Sequence, residues 1–266
     1  MRKLCRSFEQ IIEGQEYSFI CSVCNGIRKS YPLSPGENLR NTVGCTSCGF
    51  TGRQRHLFDI LQQQAELFQF KPSLAVFESI TAFAHLIRLH FPGALHSEFV
   101  DTCCDMPSGC LATIKHSGEV VIHEDIMNTS YQDEFFDLVV HADVWEHIAS
   151  IEAAANEARR ILRPKGRMVF AMPLCDHMNA TIINAKYENG RFEWLGNPAY
   201  HGNPVDPEKG APVYSFAGSD FFDVLYSHGF DVKLSLGLDF CKGYFPDCCH
   251  VDMFHSWNLV FVATKI

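Results

Sequence analysis

The sequence predicts an α/β fold built on a mostly parallel sheet, and three observations within residues 119–173 carry that prediction. The first is a pair of short apolar runs, Val120–Ile122 and residues 136–140, dense in β-branched and aromatic side chains. Such runs are typical of parallel strands buried on both faces. The second is the stretch 151–162, where Ile151, Ala154, Ala155, Ala158, Ile161 and Leu162 recur at helical spacing until Pro164 and Gly166 stop the helix. The third is the return of an apolar strand at 166–172, which a right-handed crossover places parallel to the strand before it.

The flanking elements extend the same alternation. Upstream, an apolar run at 74–77 ends in Glu78 and is followed by a helix at 81–90 and a strand at 94–99 containing Glu98, a first β-α-β unit. Downstream, 219–227 reads as a helix, 230–236 as a strand and 256–264 as a final strand. The runs at 120–122 and 136–140 are followed by Asp125 and Asp143, and open α/β sheets bind ligands in the crevice outside the carboxyl ends of their strands.

Composition bounds the partners. A chain of 266 residues with 47% hydrophobic and 20% charged residues has the content of an ordinary globular protein. No run approaches the ~18 apolar residues of a spanning helix, and the start, MRKLCRSFEQIIEG, turns acidic before a signal-peptide core forms. A cytoplasmic protein without a membrane partner is expected. A formal charge of -9 weighs against nucleic acid, which is bound by clustered Lys and Arg, and the patch Arg53, Arg55, His56 is too small to reverse it. Twelve cysteines in a long chain without an export signal suggest thiols or thiolate ligands rather than a disulfide framework.

Four of those cysteines are patterned. Cys21-x-x-Cys24 and Cys45-x-x-Cys48 are separated by 20 residues, the spacing of a four-cysteine zinc ribbon, with four buried free thiols as the alternative. Two-residue gaps let each pair wrap a metal, and Gly26 and Gly49 suit the turns. Four thiolates leave no open position for water, so the zinc is expected to be structural. Residues 1–52 then form a ribbon region. Residues 53–72 form a connecting helix with Leu57, Ile60, Leu61, Gln64, Leu67 and Phe68 along one side, and 73–266 form the larger domain.

Taken together, the acid after the third strand, the FDLV and DVWEH segments on and after the fourth, RILRPKG before the fifth and MVFAMP on it resemble the core of class I S-adenosylmethionine-dependent methyltransferases. The resemblance spans about residues 74–264, and the segments 198–204 and 218–230 are similar to a bacterial subgroup of largely unassigned substrate. It implies a Rossmann-like, seven-stranded, mostly parallel sheet and S-adenosylmethionine as cofactor. It assigns Glu78 and Ser79 to the first cofactor loop, Glu98 to the ribose hydroxyls, Asp125 and Ile126 to the adenine, and Asp143 and Trp145 to the surroundings of the transferring methyl. Glu146 and His147 are read as bridging that loop to the next helix. One departure is plain: the family's glycine-rich loop is here Glu78-Ser79-Ile80-Thr81-Ala82, with no glycine at 80 or 82. Ser79 or Thr81 is placed to cap the following helix.

Residues 174–217 are too long for an ordinary connection and read as a substrate lid carrying His177, Asn179, Tyr187, Trp194, Tyr200 and His201. His201, in the compact turn 200–204, is the first choice for a base that takes a proton from the acceptor; His141 and His177 are alternates. The cysteines at 103, 104, 110, 241, 248 and 249, with His250 and His255, match no ordinary ligand spacing and are expected to be loop or core residues. The reading is methyl transfer to a small-molecule or sugar-containing acceptor. Two rivals stand beside it: a non-catalytic ribbon and sheet module, motivated by the missing glycines, and an RNA methyltransferase, against which the acidic charge weighs. Oligomeric state is left open.

Overall fold

The computed structural model describes residues 14–34, 39–100, 106–175, 178–188, 191–246 and 258–266. They fall into two compact units, the described parts of Met1–Leu67 with Leu234–Phe261, and of Phe68–Lys233 with Val262–Ile266. No helix among the described residues is long and apolar enough to cross a membrane.

In the first unit, strands β1 (Ser18–Cys21) and β2 (Gly26–Lys29) form an antiparallel hairpin whose register sets Cys21 opposite Gly26. Asn25 takes the tight turn with a φ of 50°. A short helix α1 (Leu39–Thr42) leads into the second cysteine pair. Helix α2 (Gly52–Glu66) follows, started by a capping box in which Thr51 and Gln54 exchange side-chain-to-backbone hydrogen bonds. It stops short of the expected span, and Leu67 and Phe70 are exposed.

The buried face of α2 differs from the expected one because Arg55 and His56 point inward beside Leu57, Phe58 and Leu61. Arg55 is fully enclosed. Its guanidinium donates to the carbonyls of Phe50, Val43, Lys242 and Gly243 and lies 4.0 Å over the Phe19 ring. Close approach makes this possible: a Cβ on Gly52 would stand 2.7 Å from the Gly243 carbonyl oxygen. Burial lowers the guanidinium's pKa, opposed by the field of Cys21, Tyr244, Cys45 and Cys48. His56 is held between Ser235 Oγ at 2.9 Å and Asn258 Oδ1 at 3.2 Å, and burial lowers its pKa. Neither residue is available as a surface basic patch. Arg55→Met is expected to destabilise this unit by about 3 kcal/mol or more, since it strands four buried carbonyls and removes the cation facing the thiols. Urea unfolding of the variant checks this.

Among the described residues the main sheet has six strands, in spatial order 230–236, 259–265, 162–171, 136–142, 74–76 and 95–96, the last four wholly within the second unit. These are β3 (Leu74–Val76), β4 (Leu95–His96), β7 (Phe136–Ala142), β8 (Leu162–Ala171), β15 (Phe230–Leu236) and β16 (Leu259–Lys265). The pairs β3·β4, β3·β7 and β7·β8 are parallel. Helix α3 (Ala82–His90) makes the first crossover and α4 (Ile151–Ile161), capped by Ser150, the crossover from β7 to β8. A third helix, α5 (Phe221–Ser227), precedes β15. Glu157 pins α4 by accepting from the Thr129 amide at 2.7 Å and from Arg160 at 2.6 Å.

Two expectations change. Val120–Ile122 (β6) pairs antiparallel with Leu111–Thr113 (β5) in a separate hairpin, linked to the end of the β4 segment by the parallel bridge Glu98↔His123. Its burial alternates, with Val121 inside and Val120 and Ile122 exposed, so it is a one-sided strand rather than one buried on both faces. The second change is at Pro164–Gly166, which forms an irregularity inside β8 instead of a turn before it. The register slips between Phe136↔Leu162 and Leu138↔Arg167, with Lys165 at φ 66°.

The stretch 174–217 folds as nested antiparallel pairs. β9 (Ile182–Ile183) pairs with β14 (Ser215–Phe216), β10 (Ala185–Glu188) with β11 (Arg191–Trp194), and β12 (Tyr200–His201) with β13 (Ala211–Pro212). At its base a Cβ on Gly218 would fall 2.6 Å from the Ala180 backbone, so only glycine fits there.

Candidate methyl-transfer site

The carboxyl ends of β3 and β7, the loops after them and the 174–217 insertion supply the polar groups of the site. After β3, Thr81 caps α3 by accepting from the Ala84 amide at 3.0 Å, and its hydroxyl donates to Glu78. The loop is therefore ordered by side chains where the family uses glycines. Glu98 completes it by accepting the Ser79 amide at 3.0 Å, and Ile80 packs onto the hairpin cluster of Val100, Ala112, Ile114 and Val121. A β-branched residue is accommodated here because its side chain has an apolar surface to cover.

Burial pushes the Glu98 carboxyl up to about 7, against the lowering effect of the Ser79, Ile80 and Phe99 amides. The folded state therefore holds this proton more tightly than the unfolded state, and stability falls as pH rises from the ordinary value of 4.5 to about 7. The loss amounts to roughly 3 kcal/mol, at 1.36 kcal/mol per pH unit. Glu98→Gln, which keeps an acceptor for the amides, is expected to match the parent near pH 5 and exceed it by about that amount near pH 8. Denaturant midpoints across that range decide it; parallel curves would reject the assignment.

Asp125 sits after β6, accepts the Met127 amide at 2.8 Å and is raised in pKa chiefly by burial; Ile126 beside it is buried. Asp143, the first residue past β7, has φ 52°, and its amide donates to the Ala171 carbonyl. That left-handed turn redirects the chain into the 3₁₀ turn Trp145–His147. Trp145 corrects its expectation. Its ring is fully buried against His141, Phe170 and Phe221, so it supports the turn from behind rather than facing a sulfonium. His141 is corrected too: it lies inside β7, stacked on Phe170, and burial drops its pKa to about 3. A ring enclosed in the sheet does not meet an acceptor. His177 lies outside the described residues.

His201, by contrast, comes to the end of the sheet. Its Nδ1 stands 3.5 Å from Glu146 Oε1, its ring meets that of His147 edge-on with centroids 5.0 Å apart, and it remains partly exposed. The insertion is fastened to the 145–147 turn by its backbone, with the Tyr214 amide donating to the Glu146 carbonyl at 2.7 Å and His147 Nδ1 donating to the Pro212 carbonyl at 2.8 Å. Glu146 and His147 are the residues that sequence reasoning placed in a supporting role. The signal for them was the acid and histidine doublet directly after the fourth sheet strand. Next to His201 the insertion presents an edge-to-face row of Phe192, Trp194 and Tyr200.

In the first unit, Cys21, Cys24, Cys45 and Cys48 bring their sulfurs within 4.8 Å of one another, with Cys21 to Cys48 at 3.8 Å and Cys24 to Cys45 at 3.9 Å. With metal–sulfur bonds of about 2.3 Å, a tetrahedral site has sulfur–sulfur edges of about 3.8 Å. The contact with Cys48 holds the Cys21 thiol down at about 5 against the opposing effect of burial.

Residues 93–170 match the methyltransferase domain family. Among solved structures, a Listeria monocytogenes protein described as a candidate S-adenosylmethionine-dependent methyltransferase is similar at 13% identity, 81% and 98% coverage of this chain and that one, and TM-score 0.46. Streptomyces venezuelae DesVI is similar at 13% identity, with 80% and 92% coverage and TM-score 0.46. A Burkholderia thailandensis 1,6-didemethyltoxoflavin-N1-methyltransferase, solved with that compound and S-adenosylhomocysteine, is similar at 12% identity, with 80% and 78% coverage and TM-score 0.42. No curated protein matches.

Proposed function

We propose that this chain is a class I S-adenosylmethionine-dependent methyltransferase acting on a small-molecule or sugar-containing acceptor, with His201 removing the acceptor's proton and Glu146 holding the imidazole in place. The observation that carries this reading is the convergence of a buried carboxylate and a part-exposed histidine where the insertion meets the carboxyl end of β7. S-adenosylmethionine, when bound, would supply the methyl group and leave as S-adenosylhomocysteine, and this chain's part would be His201 taking the proton that the acceptor loses as its lone pair meets that methyl group. The chain's task is alignment and exclusion of water. Glu78, Ser79, Glu98, Asp125, Ile126 and Asp143 are proposed to surround the cofactor, with Glu98 turning from the loop amides to the ribose hydroxyls.

The four-cysteine cluster is proposed to hold one structural zinc, which the tetrahedral sulfur spacing supports. An interaction module is the second reading, favoured by Glu98 already being engaged by the Ser79 amide. Calorimetry with S-adenosylhomocysteine separates them. Binding is expected, and its absence at millimolar concentration favours the module. The RNA reading loses its basic patch, since Arg55 and His56 are buried.

A further inference from the structure

We propose that Glu146, His147 and His201 form a second metal site, a two-histidine, one-carboxylate cradle for a divalent transition-metal cation at the acceptor end of the sheet. Glu146 is 3% exposed, and neither of its carboxylate oxygens accepts a hydrogen bond among the described residues. A buried carboxylate without a donor is expensive unless a cation faces it. The groups that do face it are two imidazole nitrogens, His147 Nε2 at 3.7 Å and His201 Nδ1 at 3.5 Å.

The tautomer of His147 sharpens the point. Its Nδ1 lies 2.8 Å from the Pro212 carbonyl oxygen, which can only accept, so Nδ1 carries the hydrogen and Nε2 is the nitrogen left to face Glu146 as a metal ligand. A backbone carbonyl fixing the far nitrogen is also the arrangement that orients metal-bound histidines.

The geometry suits a cation. The three ligand atoms lie within 4.8 Å of one another, and bonds of about 2.0–2.2 Å to nitrogen and oxygen require ligand atoms about 3–3.5 Å apart, a closure of about an ångström. Imidazole with one carboxylate suits zinc, iron, cobalt or nickel, and three protein ligands leave open positions. Residues from the 145–147 turn and from the insertion both contribute, so the site would form only when the insertion is docked. This goes beyond the methyltransferase reading. With the cation bound, His201 Nδ1 and Glu146 would be ligands and the acceptor's proton would leave to solvent instead of to His201; that catalytic consequence rests on the methyltransferase reading and replaces the general-base role of His201 in the metal-bound state.

The test is zinc content of the full chain after equilibrium dialysis against micromolar zinc chloride, for the parent, Glu146→Gln and His201→Ala. Each variant is expected to hold one zinc fewer per chain than the parent, whatever the four-cysteine cluster contributes. Equal contents in parent and both variants would overturn the site. Glu146→Gln preserves volume and His201 is part-exposed, so melting midpoints near the parent's are expected, and His201→Ala alone decides if the Glu146 variant fails to fold. Calorimetry of the parent with S-adenosylhomocysteine is run in parallel; no binding there would sink the methyltransferase reading while leaving the zinc count standing.

Discussion

Replacing Cys45 with serine is expected to remove one zinc per chain and to unfold the ribbon. Cys45 is fully buried, its sulfur 3.9 Å from that of Cys24, and it sits in an apolar cluster with Phe19, Cys21, Leu33, Leu39, Val43 and Phe245. That cluster is small. A hairpin of two four-residue strands and a four-residue helix has little else with which to offset chain entropy. Structural zinc contributes about 10–16 kcal/mol of apparent binding free energy in comparable peptides. Whole domains are stable by only about 5–15 kcal/mol, so losing the metal exceeds what the ribbon can absorb. If the four sulfurs were only buried thiols, the same substitution would cost about 0.5–3 kcal/mol, the range of ordinary substitutions. Metal analysis with limited proteolysis separates the cases: zinc-free parent protein with a protease-resistant ribbon would reject the metal site.

How much of this was legible in the sequence depended on whether the deciding contacts are local. The helix at Ile151–Ile161 and the buried strand at Phe136–Ala142 were legible because their apolar spacing is a property of neighbouring residues. The four cysteines were legible because ligand spacing within each pair is local as well. Val120–Ile122 was misread because three apolar residues carry too little pattern to distinguish a strand buried on both faces from half of a hairpin. Arg55 and His56 looked like surface charge, and the groups that bury them, the carbonyls of residues 242 and 243 and the side chains of Ser235 and Asn258, lie nearly two hundred residues further along the chain. The loop at Glu78 looked defective for lack of glycine. Its substitutes, the Glu98 carboxylate and the apolar seat for Ile80, come from the next strand and the following hairpin. His141 and Trp145 were drawn toward the site by their position after an apolar run, but strand alternation and the 3₁₀ turn send both rings inward. Glu146 and His147 acquire their meaning from Pro212 and His201, which the insertion carries back to them.

His201→Ala is the second large effect, expected to lower turnover by about 10²–10⁴-fold, the usual contribution of a positioned general base. Affinity for S-adenosylhomocysteine should change little, because the proposed cofactor groups, Glu78 to Asp143, come from other segments of the unit, whereas His201 is carried by the insertion on β12. The size of the effect follows from what remains after substitution. Glu146 stays buried with only His147 Nε2 within ion-pair reach among the described residues, and the Nδ1 of that ring is tied to the Pro212 carbonyl, so His147 is held away from the insertion position that His201 occupies on β12. Proximity of acceptor and sulfonium would survive, which sets a floor of residual activity rather than none. Glu146→Gln should fall in the same direction by less, since His201 would keep its ring but lose the carboxylate that orients it. The ordering of the two variants is the informative result. A rate on the true acceptor unchanged by His201→Ala would reject His201 as base, while a drop matched by an equal loss of cofactor affinity would show that the insertion shapes the cofactor pocket instead of serving the acceptor.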